Sequence, residues 1–219
     1  MVTYEKIKND PAVRTYISAA DDSLRALGYT EHSFGHVIKG ADLAGDILEK
    51  LGYDAHTVEL AKIAAVLHDI GNLVNRSEHS QSGAVMAFRI LDNKGMPPAD
   101  IATVVTAIGN HDEGTGVPVN AVAAALIIAD KSDVRRSRVR NKDASTFDIH
   151  DRVNYSVTSS ALTVNADEKF LILELEIDTD ISPVMDYFEI FLGRMVMCRR
   201  ASDMLGLEFR MTINSQRII

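Results

Sequence analysis

Apolar residues recur at helical spacing over the first ~150 residues, and cap signals separate the runs. Asp10-Pro11 reads as an N-cap followed by proline at the first helical position, and Gly28 closes that helix. A second helix is expected from about Ser33 to Leu51, with Val37, Ala41, Ala44, Ile47, Leu48 and Leu51 on one face and Gly52 as its end. A third starts near Thr57 and carries Leu60, Ile63, Ala64 and Leu67 to His68-Asp69, with Gly71 placed like a C-terminal stop. Further helices are expected over Ser80–Asp92, over Pro98–Asn110, and from Val119 through AVAAALIIADKSD. The pattern changes after Arg140. NKDASTFDIHD is polar and turn-rich, and then SVTSSALTV and KFLILELEID alternate as a hairpin around Asn165-Ala166-Asp167. Ser182-Pro183 caps a helix with Val184, Phe188, Phe191, Leu192, Met195 and Val196, and LEFRMTI alternates like a strand. The expected fold is mainly α. A helical body spans residues 1–145, and a small α+β appendage (hairpin, helix, strand) spans 146–219 and packs on the body or forms a homodimer interface.

Composition narrows the class. The chain has 219 residues, 46% hydrophobic and 25% charged, as ordinary globular domains do. No apolar run reaches the ~20 residues a membrane helix needs. The N-terminal MVTYEKIKND has no apolar stretch of a signal peptide. One cysteine, Cys198, excludes an internal disulfide framework and fits a reducing compartment, so a cytoplasmic location is expected. The net charge of −8 argues against a broad nucleic-acid-binding or membrane-binding face, while leaving room for one positive pocket around a metal.

Seven histidines occur. A lone histidine is more often structural than a ligand. Here His36 falls in the first turn of one expected helix, and His68-Asp69 end another. His79 precedes the next, and His111 ends a fourth in GNHDE. Asp130 follows the apolar run AAALIIA. Adjacent helical residues point about 100° apart, so His68 and Asp69 converge only on something off the helix end. A metal ion fits. The two oxygens of Asp69 could bridge two ions about 3.5–4 Å apart, with Asp130 supplying the opposite carboxylate. Each residue alone has an ordinary explanation as a cap or surface group; six such placements at helix ends do not.

This ordered set, His36, His68-Asp69, His79, His111 and Asp130, resembles the HD-domain superfamily of metal-dependent phosphohydrolases. HDIGN looks like the family's HDIG variant, EHSFGHV like its first-histidine motif and ADKSD like its closing-aspartate motif, over roughly residues 30–135. The resemblance implies an all-helical core with the site between helices. His36, His68, Asp69 and Asp130 match the ligands of one metal, and His79 and His111 match the extra histidines of two-metal members such as the HD-GYP phosphodiesterases. His68 and Asp69 are the expected catalytic pair. Asn72 stands where those phosphodiesterases carry lysine, and GTGVPV follows His111-Asp112-Glu113 without a GYP triplet, so cyclic-di-GMP hydrolysis is not supported.

The expected cofactor is a divalent transition metal, two ions by this reading, from Fe, Mn, Co, Ni or Zn. The expected substrate is a small phosphorylated molecule. Lys131 and Arg135, four apart on a continuing helix, are candidate phosphate contacts, and His32, four before His36, is a third. His150-Asp151 repeats the doublet after a polar loop and reads as a surface decoy. His56 reads as part of a helix start, and Cys198 as an inert buried thiol. Two other functions use the same ligands: a di-iron oxygenase of HD type, and a ligand-sensing module without catalysis.

Overall fold

The computed structural model describes residues 2–219. Its helices are α1 (Tyr4–Lys8), α2 (Pro11–Ala26), α3 (Phe34–Lys50), α4 (Ala55–Leu67), α5 (His79–Asn93), α6 (Pro98–Gly109), α7 (Ala121–Lys131), α8 (Ile149–Ser156) and α9 (Val184–Met204). Its strands are β1 (Val157–Asn165), β2 (Phe170–Ile177), β3 (Glu208–Ile213) and β4 (Gln216–Arg217). The mainly helical fold with a small C-terminal sheet agrees with the sequence reading.

Local chemistry sets the helix starts. Asp10 accepts from the N–H groups of Ala12 and Val13, Ser33 from Gly35, and Asn120 from Ala123. Asp54 caps α4 two residues earlier than the apolar pattern suggests. Inside the body, the C-terminal half of α4 and nearly all of α7 are apolar and surrounded. Residues Ile63 to Leu67 and Val122 to Ala129 are all buried. They pack on each other and on α3 and α6.

The sheet order is β1-β2-β3-β4. β1 and β2 form the expected antiparallel hairpin, from Val157↔Ile177 to Asn165↔Phe170. β2 and β3 pair in parallel, which requires a crossover, and α9 is that crossover. One sheet face buries Leu171, Leu173, Leu175, Phe209 and Met211. Tyr187, Phe191, Met195 and Cys198 are buried on α9, which packs against α7 and the sheet. One buried cluster therefore runs from Tyr4 to Ile213.

Three expectations need correction. The short helices α1 and α8 were not expected; α8 rises inside the polar stretch because Asp148 caps it through the Asp151 N–H. Gly71 does not end a helix in left-handed conformation. It lies in a 3-10 turn, Ile70–Leu73, without a positive φ. α7 stops at Lys131 instead of continuing through Arg135. The Asp133 carboxylate is drawn to His36, Lys39 and Arg135, and Arg135 itself is extended.

Candidate metal centre

Five helix ends meet at one place. α3 brings His36 in its first turn, α4 ends in His68-Asp69, and α5 begins at His79. His111 follows α6, and Asp130 and Lys131 close α7. The apolar bodies of α4 and α7 fix these ends because neither helix can shift without exposing its flanks.

The four histidines share one arrangement. Nδ1 of His68 faces the carbonyl of Ala65 at 2.7 Å, His111 that of Ile108 at 2.6 Å and His79 that of Arg76 at 3.1 Å. Nδ1 of His36 faces the Asp133 carboxylate at 2.8 Å. With each Nδ1 bonded in this way, each Nε2 is aimed into the centre, the orientation in which a deprotonated Nε2 would serve as a metal ligand. Nε2 of His36 and of His68 are buried without any hydrogen-bond partner, which is costly unless something else occupies them.

The carboxylates divide the centre. Oδ2 of Asp69 lies 3.2 Å from His68 Nε2 and 3.7 Å from His36 Nε2, and its Oδ1 lies 3.6 Å from His79 Nε2. Oδ1 of Asp130 lies 3.2 Å from His36 Nε2 and 3.6 Å from His68 Nε2. The Nε2 atoms of His79 and His111 are 3.2 Å apart. Two sets of ligand atoms are close enough to hold an ion: His36, His68 and Asp130, and His68, Asp69 and His111, each within 4.8 Å of one another. Asn72 steadies the shared carboxylate, since its Nδ2 donates to the Asp69 carbonyl and to Asp69 Oδ1, both at 2.9 Å.

A scan against family models matches the HD domain over residues 33–152, more than half of the chain. This chain belongs to the HD domain family. Among curated relatives, this HD domain is 34% identical over 107 residues to ribonuclease Y 1 of Pediococcus pentosaceus, covering 48% of this chain and 18% of that protein. It is 28% identical over 122 residues to ribonuclease Y of Enterococcus faecalis, covering 54% and 21%. An uncharacterised protein of Methanocaldococcus jannaschii is 28% identical over 171 residues, covering 67% and 65%. The chain thus spans about a fifth of the ribonucleases it matches. A crystal structure of a predicted HD superfamily hydrolase from an uncultured Thermotogales bacterium matches with TM-score 0.42 and 23% identity over 60% of this chain and 73% of that one.

Burial and charge fight over the protons of the HD site. Burial alone would lower His68; the Asp69 and Asp130 carboxylates outweigh it and raise its pKa to about 10. Burial, aided by the charges of His68 and Lys131, pushes His111 down to about 3. Asp69 and Asp130 stay well below the usual carboxylate range although burial raises them, because His68 and Lys131 respectively lead the opposing charges. The signs set the stability of the metal-free protein. The His68 contribution is complete below its ordinary 6.5 and is lost as pH rises toward 10. The His111 contribution is complete above 6.5 and is lost as pH falls toward 3.

The remaining candidates divide. His32 lines the centre, with Nδ1 on the Thr30 carbonyl at 2.7 Å and its own N–H on Asp21 Oδ1 at 2.9 Å. Lys131 is buried in the same wall, 2.9 Å from Asp130 Oδ2. Arg135 is not there: it binds Asp133 at 3.0 Å and Glu31 at 3.1 Å, on the far side of the chain reversal that ends α7. His150 is an exposed residue of α8 beside Asp148, apart from the centre. His56, in the first turn of α4, faces Asp100 at 2.8 Å. Burial pushes the Cys198 thiol up to about 12, which keeps it inert.

Sequence reasoning passed over Asp133, Arg76 and Arg194, and it set Arg138 aside in favour of Lys131 and Arg135. Arg76, Arg138 and Arg194 line the centre, and Asp133 orients His36. One signal was available: Arg194 is a charge set among the apolar positions Tyr187, Phe191, Met195 and Cys198 of α9.

Proposed function

We propose that this HD domain is a metal-dependent phosphohydrolase acting on a phosphomonoester or phosphodiester of a nucleotide or other small phosphorylated metabolite. One observation carries the reading: buried imidazole Nε2 atoms, held by bonds at Nδ1, converge with the two carboxylates. Asp69, whose two oxygens face different imidazoles, would be a ligand to divalent ions drawn from Fe, Mn, Co, Ni or Zn, two by this reading. Ions held there would lower the pKa of a bound water toward neutrality and polarise a phosphoryl oxygen. His36, His68, Asp69 and Asp130 would hold one ion, with His79 and His111 completing the second. Asp69, fixed by Asn72, orients the pair. Lys131 and His32 face the same space and offer a cation and an imidazole to the substrate. The net charge of −8 favours a small substrate over a polymer surface. The likeness to a segment of ribonuclease Y favours a phosphodiester among the candidates.

The test is elemental analysis of the purified protein, followed by a phosphate-release screen over nucleotides, dinucleotides and simple esters without oxygen. Release that depends on the bound metal supports the reading. Oxygen consumption without phosphate release would replace it with an oxygenase. A proton count gives a second check. Because His68 holds its proton up to about 10 in the metal-free protein, metal binding at pH 7.5 is expected to release about one proton from it. Calorimetric titration of metal in buffers of different ionisation enthalpy measures this; no dependence on buffer would mean that His68 is not displaced from its protonated form.

A further inference from the structure

The wall of the centre contains one charge from outside the family match. Residues 33–152 account for the HD domain, yet Arg194 of α9 lines the same space as Asp69, His79, His111, Asp130 and Lys131. The Phe191 ring lies 4.5 Å from its guanidinium carbon and limits where the group can swing. Its Nε donates to Oε1 of Glu113 at 2.8 Å. The same Oε1 lies 3.5 Å from Lys131 Nζ. A single carboxylate oxygen thus sits between two cations of the wall, in the place and with the charge that a phosphoryl oxygen would take.

Glu113 is poorly anchored compared with what it holds. It stands on the exposed loop between α6 and α7, followed by Gly114, whereas Lys131 is buried at the end of α7. The loop folds back on itself at Gly116, where a Cβ would come within 2.4 Å of the Asn110 and Asp112 carbonyls and 2.9 Å of Met197 Cε on α9. Its base therefore lies close against α9, while the exposed Glu113 side chain reaches Arg194 and Lys131 from the solvent side.

We propose that Arg194 and Lys131 form the seat for the substrate's phosphoryl group, and that Glu113 is a built-in competing anion that substrate displaces. The proposal rests on the phosphohydrolase reading and deepens it: the C-terminal unit completes the HD site by supplying the arginine. Arg194 is a binding residue, since it touches substrate and no proton passes through it.

The experiment is isothermal titration of the metal-loaded full-length chain with inorganic phosphate, with metal content and melting temperature measured for each variant. Arg194→Gln is expected to weaken phosphate binding about tenfold or more, with Arg194→Lys between it and the parent. Glu113→Gln is expected to tighten binding and lower KM several-fold, because it removes the competitor and leaves both cations. These opposite signs decide the matter. If the ion pair merely braces the loop, both substitutions break it and move binding in the same direction, and the proposal fails. Unchanged binding in Arg194→Gln also overturns it. If Arg194→Gln does not fold, Glu113→Gln decides alone: tighter binding supports the competing-anion role, while unchanged or weaker binding overturns it. A parent protein that neither binds nor releases phosphate would remove the phosphohydrolase reading itself, whereas an active parent with an indifferent Arg194 removes only this inference.

Discussion

Replacing Asp69 by alanine is expected to remove bound metal and turnover together while leaving the protein folded. Asp69 is the one group whose two oxygens face different imidazoles, so its loss opens both halves of the centre at once. Outer partners of a metal site typically change affinity 10–100-fold, and loss of a direct ligand should exceed about a hundredfold. The fold should survive because the charge left behind keeps a partner. The Asp69 carboxylate is the leading cause of the raised His68 pKa, opposed by burial. Without it, burial opposes the proton more strongly, and any charge that His68 keeps still faces Asp130 at 3.6 Å, so no unpaired cation remains in the core. Elemental analysis and a thermal melt check both halves of the expectation. Full metal content with full activity would show that the helix ends converge for some other reason.

The second large effect is on stability. Gly71→Ala is expected to destabilise the protein by about 3 kcal/mol, the upper end of overpacking costs. The added Cβ would lie 2.0 Å from the His79 carbonyl and 2.5 Å from the Gly83 amide nitrogen, both backbone atoms of α5. Neither can rotate away, so α5 must shift, and His79 shifts with it. In a chain of this size the melting temperature should fall by roughly 6–12 °C. Gly193→Ala is the matched control. That glycine lies in the interior of α9 with nothing within 4 Å of its Cβ position, and alanine there should stabilise by about 0.5–1 kcal/mol. Equal melting temperatures for Gly71→Ala and the parent would mean that the turn and α5 are not in hard contact.

Three glycines show what the sequence can and cannot reveal. Gly28 and Gly52 were read as helix ends, and both have positive φ. Gly71 had the same local signature, but its reason is a backbone approach between segments that only tertiary structure brings together. The residues that gather at the centre were legible because each histidine or aspartate sits where an apolar period stops, a signal contained in a few neighbouring residues. The cations were harder. KSDVRRSRVR has the propensities of a continuing helix, so Lys131 and Arg135 were set on one face. The chain reverses because Asp133 finds His36, nearly a hundred positions away, a contact that no local pattern announces. Arg194 reaches the site across the crossover from the sheet for the same kind of reason. Asn72 served in the sequence only to argue against one branch of relatives; in the fold it fixes the carboxylate that the whole centre shares.

The five helix ends also make the centre a staple. In the denatured chain His36, His68, His79, His111 and Asp130 are separated by whole helices, and gathering them closes several loops at once. An ion that binds only the gathered arrangement lends its binding free energy to folding, about 2.7 kcal/mol when free metal stands at a hundred times its Kd. The lifetime of the protein in a cell would then follow the local supply of metal, with the demetallated chain opening more often and reaching proteases sooner.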